Sequence, residues 1–274
     1  MAVVAVAASQ KKVDYGLVLE QLLAPFAQVF SPAPSMLFIN LGLLYPCAPE
    51  WGVNPHPRLV AKLVARAYEA GVAQISLAAR AAAGFEFTQC WHLCGLDFLE
   101  NYGVAVVDLD RSPQVLRQSR LALAGCDYSL PPQPLKADCL ISLGKFRAGS
   151  GQMFGSALNN LSALANITPL EGISPRAVVD IYSILAPDLH IIDAIRGRGG
   201  WQPQQGDAWL AATDAVALDM VLAALASLPG SRIEEIALAA QYGLGNANVA
   251  DIVLVGDTAV LFPNIGKKYK KIAD

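Results

Sequence analysis

The densest set of chemistry-bearing residues lies where the apolar run Leu140-Ile141-Ser142-Leu143 gives way to Gly144-Lys145-Phe146-Arg147-Ala148-Gly149-Ser150-Gly151. A buried strand that enters a glycine-rich loop and then a helix can aim backbone N–H groups at an anion. The helix dipole favours negative charge at that end, and Lys145 and Arg147 would add full positive charges. Ser150 and Gly151 would line the cradle. Ser156, Asn159 and Asn160 follow about one helical turn apart and could point polar groups at a carboxylate or phosphate. No Gly-Lys-Ser/Thr stands at Walker spacing, so this is not a nucleoside-triphosphate loop. The same residues also fit a flexible connection with solvated basic side chains and asparagines that cap or kink the helix.

A second set gathers at Asp193, which ends a short apolar run and precedes Arg196-Gly197-Arg198-Gly199-Gly200-Trp201. Open α/β sheets bind ligands outside the carboxyl ends of their strands, so a carboxylate and two guanidinium groups there form a second wall. Arg196 and Arg198 would clamp an anion, with Asp193 as base or orienter; the alternative is a buried Asp–Arg pair that fixes the loop. Asp214 stands where a helix N-cap belongs. Asp219 lies inside Val216-Ala217-Leu218-Asp219-Met220-Val221-Leu222, so it either pairs below the surface, with one of those arginines, or faces the site. His56, between Pro55 and Pro57, is the histidine placed for proton transfer, because imidazole titrates near neutrality. His92 and His190 read as core or interface residues. Three separated histidines lack zinc spacing, and Cys90 and Cys94, alone at helical spacing, fall short of the four thiolates of an iron–sulfur cluster. A serine-hydrolase Gly-x-Ser-x-Gly elbow is absent. Gly42 stands alone where a dinucleotide fingerprint would follow a strand. No metal and no cofactor are therefore expected.

These groups need a scaffold, and composition limits the choice. The 274 residues carry a net charge of −3, with 54% hydrophobic and 16% charged side chains. That balance lacks the broad positive field of nucleic-acid binders; Lys267, Lys268, Lys270 and Lys271 read as a solubilising flank. No window reaches the roughly 18 apolar residues of a membrane span. The five cysteines are scattered and odd in number, and the opening residues read as a strand rather than a signal peptide, so reduced thiols and a cytoplasmic location are expected. So apolar a chain must bury much of itself in a core or a subunit interface, which points to a homo-oligomer.

Periodicity places the elements. Strands are expected at 3–7, 36–41, 74–78, 104–109, 137–143 and 189–192, and helices at 15–30, 59–71, 90–102, 155–165, 175–186 and 215–228, with a last helix and strand within 233–255. Alternation of this kind implies an α/β fold, a mainly parallel sheet with helices on both faces. It forms a single unit over 1–274 or, if the proline-rich stretch Ser129 to Pro134 divides it, two Rossmann-like lobes, 1–130 and 135–274.

Three segments in order resemble one family. They are Trp51-Gly52-Val53-Asn54-Pro55-His56-Pro57-Arg58 leading into 63–71, Ala137-Asp138 through Ser142 to Lys145 and on to Asn159-Asn160, and Ile192-Asp193-Ala194-Ile195 with Gly199, Gly200, Pro203, Gly206 and 213–219. Their pattern is similar to the family catalogued as domain of unknown function 362, some members of which carry ferredoxin-type modules. The departures are specific. Phe38-Ile39-Asn40 lacks a lysine common in the family, Gly149 supplies no imidazole beside Lys145 and Arg147, and Asn159-Asn160 replaces a Lys-Asn pair. The same segment is distantly similar to nickel-pincer lactate racemases, without their histidines and lysine. The expectation is a small-molecule enzyme acting on an anionic carboxylate or phosphate metabolite by acid/base chemistry of a cofactor-independent lyase, isomerase or transferase kind. In it Lys145 and Arg147 hold the anion, and Asp193 or His56 moves protons. The alternative is a non-catalytic binding or accessory subunit associated with an iron–sulfur or electron-transfer partner.

Overall fold

The computed structural model describes residues 1–9, 12–81, 84–148, 154–165, 173–195, 207–261 and 270–271. The strands are Ala2–Ala8 (β1), Met36–Leu41 (β2), Gln74–Ala79 (β3), Ala105–Asp108 (β4), Val115–Gln118 (β5), Asp127–Leu130 (β6), Cys139–Lys145 (β7), Arg147–Ala148 (β8), Phe154–Gly155 (β9), Leu189–Asp193 (β10), Ala208–Ala212 (β11), Ile252–Gly256 (β12) and Lys270–Lys271 (β13). Nine of them form one sheet in the order β13-β12-β1-β11-β10-β7-β2-β3-β4. It is parallel except at β11, which runs antiparallel to both β1 and β10. Because β7 pairs with β2 on one side and β10 on the other, strands from both sides of the 129–134 stretch share this sheet.

Alternation along each strand feeds two cores. Ala5, Ala7, Ile39, Leu41, Ile141 and Leu143 face the helices Tyr15–Leu23 (α1), Pro57–Glu69 (α2) and Phe87–Leu93 (α3). Val4, Val6, Phe38, Leu140 and Ile192 face Pro175–Leu185 (α4), Ala215–Leu225 (α5) and Glu234–Gln241 (α6). A parallel strand covered on both sides must be apolar throughout, and β7 is buried at every position, Ser142 and Lys145 included. The helices start on local signals. Asp14 caps α1 by accepting from the N–H of Gly16 and Leu17, and Asp214 caps α5 by accepting from the N–H of Ala217. Pro57 opens α2, and Gly71, at φ 97°, ends it.

Several expected helices are shorter or tighter. The 15–30 helix stops at Leu23 and continues as a 3-10 helix, Ala24–Phe30, with Pro25 near its start, since a prolyl ring removes a donor and clashes with the preceding turn. The 90–102 helix divides into α3 and a 3-10 helix at Asp97–Tyr102, with Gly95 left-handed at φ 68° between them. In place of a helix from 155, β9 pairs back on β8, and a 3-10 helix spans Asn159–Ala165. The alanine-rich β11 and the β5–β6 hairpin carry too few β-branched residues to show a strand pattern.

The topology marks a crevice. From β2 the chain proceeds outward through β3 to β4, then returns to place β7 on the opposite side of β2. In open α/β sheets the space outside the carboxyl ends of two such strands is where ligands bind. Asn160 fills part of it: its Nδ2 donates to Ser142 Oγ (2.8 Å), and its carbonyl accepts from Asn40 Nδ2 (2.9 Å). Gly42 and Gly144, following β2 and lying near the end of β7, leave room for that side chain. A Cβ at Gly144 would stand 2.9 Å from Asn160 Cγ and 3.1 Å from Ile192 Cδ1. Gly144→Ala should therefore cost about 1–3 kcal/mol by overpacking, seen as a lower urea midpoint with an unchanged m-value.

Candidate functional site

At the carboxyl edge Lys145 and Asp193 are cross-strand neighbours on β7 and β10. Lys145 Nζ donates to Asp193 Oδ1 and to the carbonyl of Ile195, both at 2.8 Å. Each side chain of the pair is 2% exposed. Asp193 is held further by the N–H of Ile195 on Oδ1 (3.0 Å) and the N–H of His56 on Oδ2 (3.2 Å). Two charges so far from water persist only when hydrogen bonds fill the remaining positions, as they do here on both oxygens of Asp193. The two residues given separate roles from sequence are thus one ion pair.

Strand alternation sends Phe146 to the other face, against Phe154, and returns Arg147 to the side of Lys145. Arg147 donates to the carbonyls of Gly42 (3.3 Å) and Val53 (3.1 Å), while its buried Nε has no partner. Burial pulls the guanidinium down to about 10, with Cys47 opposing. No carboxylate pairs with it among the described residues.

The loop that supplies these carbonyls is built on Asn54, a residue with no assigned role within the segment Trp51 to Arg58. Its Oδ1 accepts from the N–H of Leu44 (2.8 Å) and Tyr45 (3.5 Å), and its Nδ2 donates to the carbonyl of Tyr45 (2.7 Å). An asparagine before a proline in a loop is a turn signal, and that was the available clue. Tyr15, at the start of α1, was also missed. Its ring stacks on His56 with centroids 4.7 Å apart and meets Trp209 edge-on at 5.8 Å. Burial and the Asp193 charge push its hydroxyl up to about 12, so it remains a donor. His56 accepts the N–H of Arg58 at Nδ1 (3.2 Å) as the α2 cap, which assigns its proton to Nε2. Burial holds the imidazole below 6.5 despite Asp193, so the ring is neutral at pH 7.

A family model described as domain of unknown function (DUF362) matches residues 39–224. The chain belongs to that family. Among solved structures, the lactate racemase apoprotein from Thermoanaerobacterium thermosaccharolyticum is similar at 12% identity with a TM-score of 0.42, covering 74% of this chain and 53% of that one. This DUF362 chain thus spans about half the length of that protein. No curated protein matches it.

The remaining candidates have distinct surroundings in this DUF362 fold. Asn159 donates to the carbonyl of Phe154 (3.1 Å) and to Glu235 (2.8 Å), and the Asn160 amide is engaged by Ser142. Asp214 caps α5 and also accepts the N–H of Asn246 at 2.9 Å. Asp219 is paired below the surface with backbone: its oxygens accept from the N–H of Ala157 (2.8 Å) and Leu158 (3.1 Å), since the chain leaving β9 needs acceptors there. His190 is buried as expected, while His92 is on the surface beside Asp97. Ser150, Gly151, Arg196 and Arg198 lie outside the described residues. Among the described residues no group of three or more His, Cys, Asp or Glu side chains is placed to share a metal ion.

Two predictions follow from the buried charges. Lys145→Met strands the Asp193 carboxylate and should cost about 3–5 kcal/mol, whereas the double variant Lys145→Met, Asp193→Leu should lose less, because no unpaired charge remains; urea unfolding of both variants measures the difference. Burial, working against hydrogen bonds from Ser156 and the N–H groups of Ala157 and Leu158, pushes Asp219 from 3.8 up to about 7. The folded chain then holds that proton more tightly than the unfolded one, so the contribution is fullest below 3.8 and is lost as pH rises to about 7. Relative to Asp219→Asn, which cannot titrate, the wild type should lose stability across that interval in unfolding titrations.

Proposed function

We propose that this chain is a small-molecule enzyme that binds an anionic metabolite, a carboxylate or phosphate, against Arg147 at the crevice outside β2 and β7. Acid/base chemistry takes place there without a cofactor. The observation that carries this reading is the state of Arg147: a guanidinium with a buried, unpartnered Nε, two carbonyl contacts and no counter-charge among the described residues. A desolvated cation of that kind loses hydration without an ion pair in return, and a planar oxyanion offers both the charge and a two-pronged hydrogen bond.

The neighbouring groups support the chemistry. Neutral His56 with its proton on Nε2 and Tyr15 with its raised hydroxyl are both donors at neutral pH. Lys145 is a cation fixed by Asp193. Donors gathered in advance about Asp193 suit negative charge that develops on a substrate oxygen during lyase-like or isomerase-like proton transfer. In this reading His56 passes the proton, Lys145 stabilises the developing charge, and Asp193 keeps Lys145 in position.

The test is thermal-shift titration with a panel of small carboxylates and phosphorylated metabolites. At least one should raise the melting temperature of the wild type in a saturable way, and Arg147→Gln should abolish that shift, while the exposed Arg111→Gln control retains it. Equal shifts in wild type and Arg147→Gln, or none with any panel member, would count against the site.

A further inference from the structure

The fold brings two distant cysteines to one amide. Asn54 Nδ2 lies 3.8 Å from Cys47 Sγ and 3.2 Å from Cys94 Sγ. The Cys94 sulfur also approaches the carbonyl of Tyr45 at 3.8 Å and a backbone group of Cys47. Both thiols are free, Cys47 half-buried and Cys94 4% exposed. Cys90, one helical turn before Cys94, is also buried, and it is Cys94, directly after α3, that reaches Asn54. Two sulfurs in contact with the same nitrogen lie at most 7.0 Å apart, and bonding requires side-chain rotation together with adjustment of the loop.

We propose that Cys47 and Cys94 form a reversible redox pair, oxidised by a hydroperoxide to an intramolecular disulfide that locks the Asn54 loop. The partly exposed Cys47 reacts first. Its thiolate attacks the peroxide, an S–O bond forms as the O–O bond breaks, and water or an alcohol leaves. Cys94 then attacks the Cys47 sulfur, forming the S–S bond as the S–O bond breaks and water departs. The two thiols together give up two protons and two electrons, and the peroxide is reduced. A small dithiol reverses the bond by exchange.

Local electrostatics set the rate. Burial raises the Cys47 thiol above its ordinary value, while a hydrogen bond from Val53 and the charge of Arg147 work in the opposite direction. The thiolate is therefore a minority at neutral pH, and oxidation should accelerate as pH rises. The locked segment is the one whose Gly42 and Val53 carbonyls accept from Arg147 and whose His56 N–H donates to Asp193. A lock there regulates the anion site of the function proposed above and in that respect rests on that reading; the bond itself does not.

The experiment treats the full chain, in a Cys126→Ser background that removes an exposed thiol, with hydrogen peroxide. Thiols are then alkylated and the peptides mapped by mass spectrometry. The expected result is a Cys47–Cys94 linked peptide that is absent after Cys47→Ser or Cys94→Ser and reversed by dithiothreitol, together with slower amide exchange over residues 42–56 in the oxidised protein. Cys47 recovered as sulfinic acid with Cys94 still alkylated would overturn the pair, and a linked peptide with unchanged exchange would overturn the lock. Neither readout involves an anion, so failure here is distinct from failure of the Arg147 titration.

Discussion

The constraint from which the rest follows is that Lys145 and Asp193 end adjacent parallel strands covered on both faces, where neither charge can reach bulk water. Each must be satisfied by protein. Lys145 takes one oxygen of Asp193 and the carbonyl of Ile195; Asp193 takes the N–H of Ile195 and, through its other oxygen, the N–H of His56. That last bond pins the start of α2 to the end of β10. Because His56 is the α2 cap and stacks on Tyr15 at the start of α1, one ion pair fixes where two helices of that face begin.

The same device recurs where the chain is irregular. Asp180 on α4 accepts from the N–H groups of Leu123 and Ala124 and from the Tyr128 hydroxyl, which holds the approach to β6. Asp219 on α5 accepts from the N–H groups of Ala157 and Leu158 before the 3-10 helix. Backbone donors that no helix or sheet satisfies would otherwise be stranded in an apolar layer, and a buried carboxylate supplies two acceptors at once. In a chain with few charged residues, carboxylates buried in this way act mainly as fastenings. This accounts for acidic residues inside apolar helices without assigning them chemistry.

The sheet was legible because parallel strands buried on both faces are continuous apolar runs: Met36–Leu41 matches its expected span, and Cys139–Lys145 and Leu189–Asp193 differ from theirs by one or two residues at the ends. Family membership, shown over residues 39–224, was legible in part for the same reason, since two of the three segments that carry it run through the ends of Cys139–Lys145 and Leu189–Asp193. What could not be read was pairing at long range. Asp219 in an apolar helix signals that a partner exists, but not that it is a peptide group about sixty positions earlier. Lys145 and Asp193 looked like separate functional groups because nothing local records that β7 and β10 are neighbours. Asn54 was hidden by type, an asparagine in a proline-rich loop being ordinary until its side chain is seen to hold both Leu44 and Tyr45.

These pairings decide the charge at the carboxyl edge. Lys145 cancels Asp193, and Arg80, after β3, pairs with Asp110. His56 is neutral, and Tyr15 keeps its proton. Among these groups Arg147 alone retains an uncompensated charge, and it does so in a chain whose net charge is −3. The net negative charge of the chain disfavours anions at large, so the proposed anion site rests on this one guanidinium, whose desolvation is already incurred and whose carbonyl contacts fix its plane. An anion site built in that way would need no cluster of lysines, because away from bulk water one unneutralised cation with fixed geometry outweighs several that are hydrated.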